Sequence, residues 1–270
     1  MATQEPKTVA FVLYPGITLL DMVGPLQVFS VLQGFNDQYR PVVVAERLEP
    51  MATDTPLTVI PDKTFDEVPD PAVVLVPGGG APTIKARGDP AIGDYLRRVA
   101  GTSELVGSVC TGAMILAAAG LLEGRNATTH WSHHRLLERM GATYLPDRWV
   151  EDGKVITSAG VSAGIDLALA LVARLTDEPT ARMVQLAIEY DPHPPFGGID
   201  WNQVNPGHLR ADARPHGPTA AGRPARAAGQ AEHLSTDGSV TATGVTACGS
   251  SSWRGSAPDR ERPADGCLLP

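Results

Sequence analysis

Cys110 sits in the stretch GSVCTGAMILAAAGLLEG, residues 107–124, after a short β-branched run and before a segment of small and apolar residues. A cysteine between a buried strand and a helix takes the position of a nucleophile elbow, where the side chain is turned outward at the carboxyl edge of a sheet. The helix start beyond it offers unpaired N–H groups and partial positive charge, both favouring thiolate over thiol. The plainer alternative is a small core side chain beside Ala113, because free cysteine is often buried. Asp21 lies in the otherwise apolar LLDMVGP, residues 19–25, just after the first apolar run. Burial there would raise its pKa and let it exchange a proton near the thiol, unless it serves only as a helix cap. In VPGGG, residues 76–80, glycines permit a backbone that aims N–H groups at a developing anion, as well as an ordinary turn.

Other chemistries find less support. His130, His133 and His134 in THWSHH have no H-E-x-x-H pattern or cysteine pair beside them, so a capping or surface role outweighs metal binding. PGGGAP is not a dinucleotide fingerprint and no P-loop lysine follows it. The cysteines Cys110, Cys248 and Cys267 are odd in number and form no close pair, which suggests neither a disulfide framework nor a zinc knuckle.

The elements that must position these residues follow from the apolar pattern. Residues 8–14, 40–46, 72–79 and 104–110 are nearly continuous β-branched runs, as expected of strands covered on both faces. Helices are expected at 18–34, with Pro25 near a start or kink, at 90–101, and at 112–124, closed by Gly124. Farther on, 131–142 reads as a helix, 147–160 as two strands joined by an Asp-Gly turn, and 162–190 as two helices broken near DEP. Strand and helix alternate, so the expected fold is α/β: a doubly wound, mostly parallel sheet with helices on both faces.

At 270 residues and 43% hydrophobic content the chain can bury a substantial core. The expected compact domain spans 1–200. Residues 206–270 contain no Ile, Phe, Tyr, Met, Asn or Lys, and are rich in Ala, Gly, Pro, Arg, Ser and Thr. That composition cannot build a core, and it fits either a disordered extension or an out-of-frame reading of GC-rich coding sequence. The net charge of −8 argues against a nucleic-acid partner. No secretory leader pattern or long apolar run is present, so no membrane partner and a cytoplasmic location are expected.

Taken together, LLDMVGPLQVF, VLVPGGG, SVCTGAMILAAAGLLEGRNATTHW and SAGVSAGIDLALALVA resemble the ThiJ/PfpI (class I glutamine amidotransferase-like) superfamily, over residues 8 to 200. VCTG, ATTHW, AGIDLAL and IEYDPHPPF point to its isocyanide hydratase branch. The resemblance implies a flavodoxin-like fold, a homodimer, and a lyase converting an isocyanide to an N-substituted formamide through a covalent thioimidate, with no cofactor. It makes Cys110 the nucleophile and Asp21 the acid/base partner, with Thr111, Gly78 and Gly79 cradling the reacting group. His130 and Val161 are placed near the substrate. Protease-like members carry His directly after the nucleophile; Thr111 stands here, which speaks against peptidase activity. Related domains also serve as sensor halves of AraC-class regulators, and a thiol-based redox role is the remaining alternative. The segment after residue 200 departs from the helical end of the family.

Overall fold

The computed structural model describes residues 5–204. The expectations for residues 206–270, including Cys248 and Cys267, lie outside the described residues. Along the chain run β1 (Lys7–Val12), α1 (Leu19–Phe35), β2 (Tyr39–Ala45), β3 (Met51–Ala52), β4 (Thr58–Val59), β5 (Lys63–Thr64) and β6 (Val73–Val76). There follow α2 (Ala81–Ala86), α3 (Pro90–Thr102), β7 (Leu105–Ser108), a 3-10 turn (Cys110–Gly112), α4 (Ala113–Ala118) and β8 (Asn126–Ala127). A second 3-10 turn (Trp131–His133) leads into α5 (His134–Arg139), β9 (Thr143–Tyr144), β10 (Trp149–Asp152), β11 (Val155–Ser158), α6 (Ala163–Leu175) and α7 (Glu178–Ala187).

The main sheet has seven strands in the order β10-β11-β7-β6-β1-β2-β5, parallel except for β10 against β11. Every residue of β6, β7 and β11 is buried, as continuous apolar strands between two helical layers must be. Helices α1, α6 and α7 pack together as one layer, and α4 packs with α2, α3 and α5 in the other. The strand order reverses at β1, which has β2 on one side and β6 on the other. Crossovers leave in opposite directions at such a point, opening a crevice at the carboxyl ends of the strands. Asp21 follows β1, Gly78 follows β6 and Cys110 follows β7, so three distant segments meet there.

Three helical segments differ from the sequence expectation for local reasons. The expected 112–124 helix ends at Ala118, because Gly120 takes a left-handed φ of 80° and the Leu121 N–H turns back onto the Leu116 carbonyl. Gly124, the expected stop, closes the next turn instead. Pro25 does not start its helix: α1 begins at Leu19 and runs through it, with Gly164 of α6 fitted against its ring. The expected 131–142 helix is a 3-10 turn followed by the short α5. The two-strand segment joined at Gly153 and the helix pair interrupted at Asp177 occur as read from the sequence.

Gly112 shows how tightly the cysteine turn is fitted to the sheet. A Cβ on it would run into the Val76 carbonyl and lie within 3.0 Å of Pro77 backbone. Gly112→Ala must therefore push the turn away from β6, at a cost of about 2 kcal/mol or more. Denaturant unfolding should show a lowered midpoint; an unchanged midpoint would contradict this packing.

Candidate active site

Cys110 is a non-glycine residue in left-handed backbone, with φ 57°. Such a conformation crowds Cβ against the backbone and persists only where surrounding bonds impose it. Here the Cys110 N–H donates to the Ala159 carbonyl at 2.9 Å, the Thr129 hydroxyl donates to the Cys110 carbonyl at 2.9 Å, and the Gly112 N–H donates to the Val109 carbonyl at 2.9 Å. β7, β11 and the strand around Ala127 thus hold the elbow from three sides. The side chain is only 5% exposed.

Asp21 lies in the first turn of α1 and is 1% exposed, with its carboxyl beside the Cys110 thiol. One oxygen, Oδ2, accepts the Gly78 N–H at 2.9 Å. The other, Oδ1, is buried without a well-aligned hydrogen bond among the described residues. The carboxyl is thus no helix cap; it is an acid held at the sheet edge. Burial pushes its pKa up to about 7, against the opposing pull of the Gly78 N–H and the Cys110 thiol. Burial also pushes the Cys110 thiol up, and the Asp21 charge adds to it, outweighing the Thr111 N–H that favours thiolate. The expectation that a helix start would lower the thiol pKa is therefore corrected. Only a single 3-10 turn and the six-residue α4 follow the cysteine, and burial beside an acid dominates.

Gly78 is confined between the two partners. A Cβ on it would come within 2.6 Å of the Thr111 nitrogen and 2.8 Å of Asp21 Oδ2. The glycine N–H groups are directed differently from an oxyanion hole. Gly78 donates to Asp21, while Gly79 and Gly80 donate to Thr111 Oγ1 at 3.1 and 3.3 Å. The expected anion-binding role of this turn gives way to a positioning one.

Thr111 is the end of a hydroxyl chain that sequence reading missed. Tyr14 donates its phenolic proton to the Pro77 carbonyl at 2.9 Å, so it must accept from Thr83, 3.0 Å away. Thr83 has then used its only proton and must accept from Thr111, also at 3.0 Å. The Thr111 hydroxyl proton is thereby directed to Thr83, and of the two Thr111 groups that favour the thiolate the backbone N–H has the larger effect.

An apolar cavity of about 670 Å³ is lined by Leu20, next to Asp21 in the chain, by Thr129 and Ala159, which hydrogen-bond the Cys110 backbone, and by Gly160 and Val161. His130 and Trp131 form part of its wall. The His130 Nδ1 shares a 2.8 Å hydrogen bond with the Ser132 hydroxyl, and burial holds its pKa below the ordinary value. A Cβ on Gly160 would lie 3.2 Å from the His130 ring, so these two lining residues are packed directly against each other. Among the described residues, His130, His133 and His134 do not join other His, Cys, Asp or Glu side chains in a group able to hold a metal.

Comparison with known proteins gives consistent similarities. The model of the DJ-1/PfpI family matches residues 7–174. An isonitrile hydratase from Pseudomonas putida is 40% identical over 188 residues, covering 70% of this chain and 80% of that protein. The crystal structure of a ThiJ/PfpI family protein from Pseudomonas syringae matches with TM-score 0.70 and 37% identity, covering 76% of this chain and 84% of that one. The HTH-type transcriptional regulator CdhR from Pseudomonas aeruginosa is 30% identical over 169 residues, 61% of this chain but only 49% of the regulator.

Two outcomes follow from the geometry. Asp21 binds its proton more tightly folded than unfolded, so the stability it allows is fully present below its ordinary value of 3.8 and is lost as pH rises to about 7. Asp21→Asn should therefore stabilise the fold by about 2–4 kcal/mol at pH 8 and by little at pH 4; equal gains at both pH values would contradict it. Thr83→Val removes the acceptor for the Thr111 proton and frees that hydroxyl to donate to the sulfur. Alkylation of Cys110 by iodoacetamide at fixed pH should then speed up about tenfold, with Thr83→Ser restoring the slow rate. No difference between Val and Ser would sink the assigned direction of the chain.

Proposed function

The chain belongs to the DJ-1/PfpI family, and from that premise we propose that it is a cysteine-dependent lyase that hydrates an isocyanide to an N-substituted formamide. One observation carries the reading: a nearly buried thiol on a left-handed elbow, paired with a carboxyl whose pKa is about 7, beside an apolar cavity. The isocyanide group is linear and slim. A slim terminal carbon suits a cysteine that is only 5% exposed, with the substituent left in the neighbouring cavity. The hydratase from Pseudomonas putida supports the same chemistry.

In the proposed reaction Asp21 takes the Cys110 proton, and the sulfur forms a bond to the terminal isocyanide carbon. Asp21 returns the proton to that carbon, giving a covalent thioimidate, S–CH=N–R. Water then adds across the C=N bond, its oxygen going to carbon and a proton to nitrogen, with Asp21 relaying the proton. The C–S bond breaks, the formamide leaves, and the thiolate recovers its proton. Covalent catalysis divides one hydration into two easier additions. The first proton transfer moves a single negative charge from Asp21 to the sulfur, and the raised pKa of Asp21 makes it a stronger base for that step. Gly78 and Gly79 hold Asp21 and Thr111 in place, and the Thr111 N–H faces the sulfur. No cofactor is needed for any of these steps.

The proposal includes a homodimer, supported by the exposed apolar side chains Leu186, Phe196 and Ile199, with no nucleic-acid or membrane partner. Among the described residues no helix is long and apolar enough to cross a membrane. The similarity to CdhR favours a second reading, a ligand-sensing domain that binds without turnover. A redox-sensing thiol is less well supported, because Cys110 is buried and held protonated.

Formamide release from an aryl isocyanide, followed by chromatography, distinguishes these readings. Cys110→Ala and Cys110→Ser should both fall to background, because a serine hydroxyl is far less acidic than a thiol. Asp21→Asn should lose at least about a hundredfold in rate. Since Asp21 must be ionised to accept the thiol proton, kcat/KM should fall as pH drops below about 7. Ligand binding by the wild-type protein without formamide would favour the sensing role.

A further inference from the structure

The cavity is large for the reacting group alone. An isocyanide contributes two atoms to the chemistry, whereas the cavity of about 670 Å³ is of the size that encloses drug-sized ligands. Its walls are distinctive as well as roomy. Trp131 faces Trp201 with ring centres 6.5 Å apart, His130 lies 5.7 Å from Trp131, and His134 lies 5.2 Å from Tyr144, all five rings lining the same space. Leu20 and Val161 complete the side nearest the catalytic pair. At the rim Arg148 is bound to Asp166 at 2.6 Å and to Ser162 at 3.2 Å, while Asp147 beside it carries no ion pair among the described residues.

Resting on the hydratase reading, we propose that the substrate is an aryl isocyanide whose substituent is two fused rings or larger. A flat aromatic body would lie among Trp131, Tyr144 and Trp201, with its isocyanide carbon directed past Gly160 and Val161 toward Cys110. Offset or edge contacts between rings add to the gain from burying apolar surface. A small alkyl substituent would leave these rings unburied. The hydrophobic walls therefore act as a ruler for the substituent, and Trp131 and Trp201 are its specificity-determining residues.

The test compares methyl, phenyl and 2-naphthyl isocyanide with the full chain, and separately titrates the corresponding formamides onto Cys110→Ala by calorimetry. For the wild type, kcat/KM should rise from methyl to naphthyl on the order of tenfold or more. Trp131→Ala and Trp201→Ala should each reduce the naphthyl-to-methyl ratio. Cys110→Ala should bind the naphthyl formamide at least about tenfold more tightly than the methyl one. Hydration of all three with no preference for naphthyl, or a ratio unchanged by both tryptophan substitutions, would overturn the substrate class and leave the hydratase reading standing. Tight naphthyl binding with no hydration of any isocyanide would overturn the hydratase reading, and the substrate class with it.

Discussion

The left-handed backbone at Cys110 is the constraint from which the site is built. A φ of 57° at a residue with a Cβ costs on the order of 1–2 kcal/mol, and the surrounding fold must hold it in place. Ala159 after β11, Thr129 after β8 and Val109 after β7 each supply one of the hydrogen bonds that do so. Gly112 lets the same turn press against the end of β6. Were the residue to relax to ordinary helical backbone, the sulfur would leave Asp21 and the cavity would lose its reactive group. The parallel sheet matters to function chiefly because its register brings these strand ends level.

The second element is a pair of acids buried together. Among the described residues no cation contributes to either group, so water exclusion raises both; the Asp21 charge further opposes ionisation of the thiol, while the thiol hydrogen bond favours the carboxylate. A single proton moving between them therefore changes the electrostatics of the whole crevice. The Gly78 N–H steadies the carboxylate, and the Thr111 N–H steadies the thiolate, so either position of the proton has one fixed donor to support it. The hydroxyl chain from Pro77 through Tyr14 and Thr83 keeps Thr111 in a single orientation while this happens. Strain, burial and proton sharing are thus one design, in which stability is given up locally for reactivity.

Cys110 and Asp21 were legible in the sequence because each broke a local rule: a thiol where strand meets helix, and an acid inside an apolar segment. The parallel sheet was legible from β-branched runs too continuous for a one-sided strand. The two-residue strands β3, β4, β5, β8 and β9 were not, because they are shorter than any periodicity can register. The end of α4 was ambiguous in AAAGLLEG, since either glycine could adopt the left-handed stop and only tertiary packing chooses Gly120. Tyr14, Thr83 and Thr129 carried no signal at all. They are common residue types, and Thr83 is 69 residues from Tyr14 and 28 from Thr111 along the chain, so only the fold makes them neighbours. The glycines of VPGGG were recognisable as a special turn, but the direction of each N–H depends on Asp21 and Thr111, which no local pattern reveals.

The central claim is that the Cys110 sulfur bonds to the isocyanide carbon during turnover. Rapid acid quench of the wild-type protein during turnover of an aryl isocyanide, followed by tryptic mass spectrometry, reads this bond directly. The account predicts a mass increase equal to one isocyanide on the peptide 99–125, which holds Cys110 as its one cysteine, and none in Cys110→Ala. Formamide production by the wild type with no adduct on that peptide, or with an adduct at another residue, would contradict it.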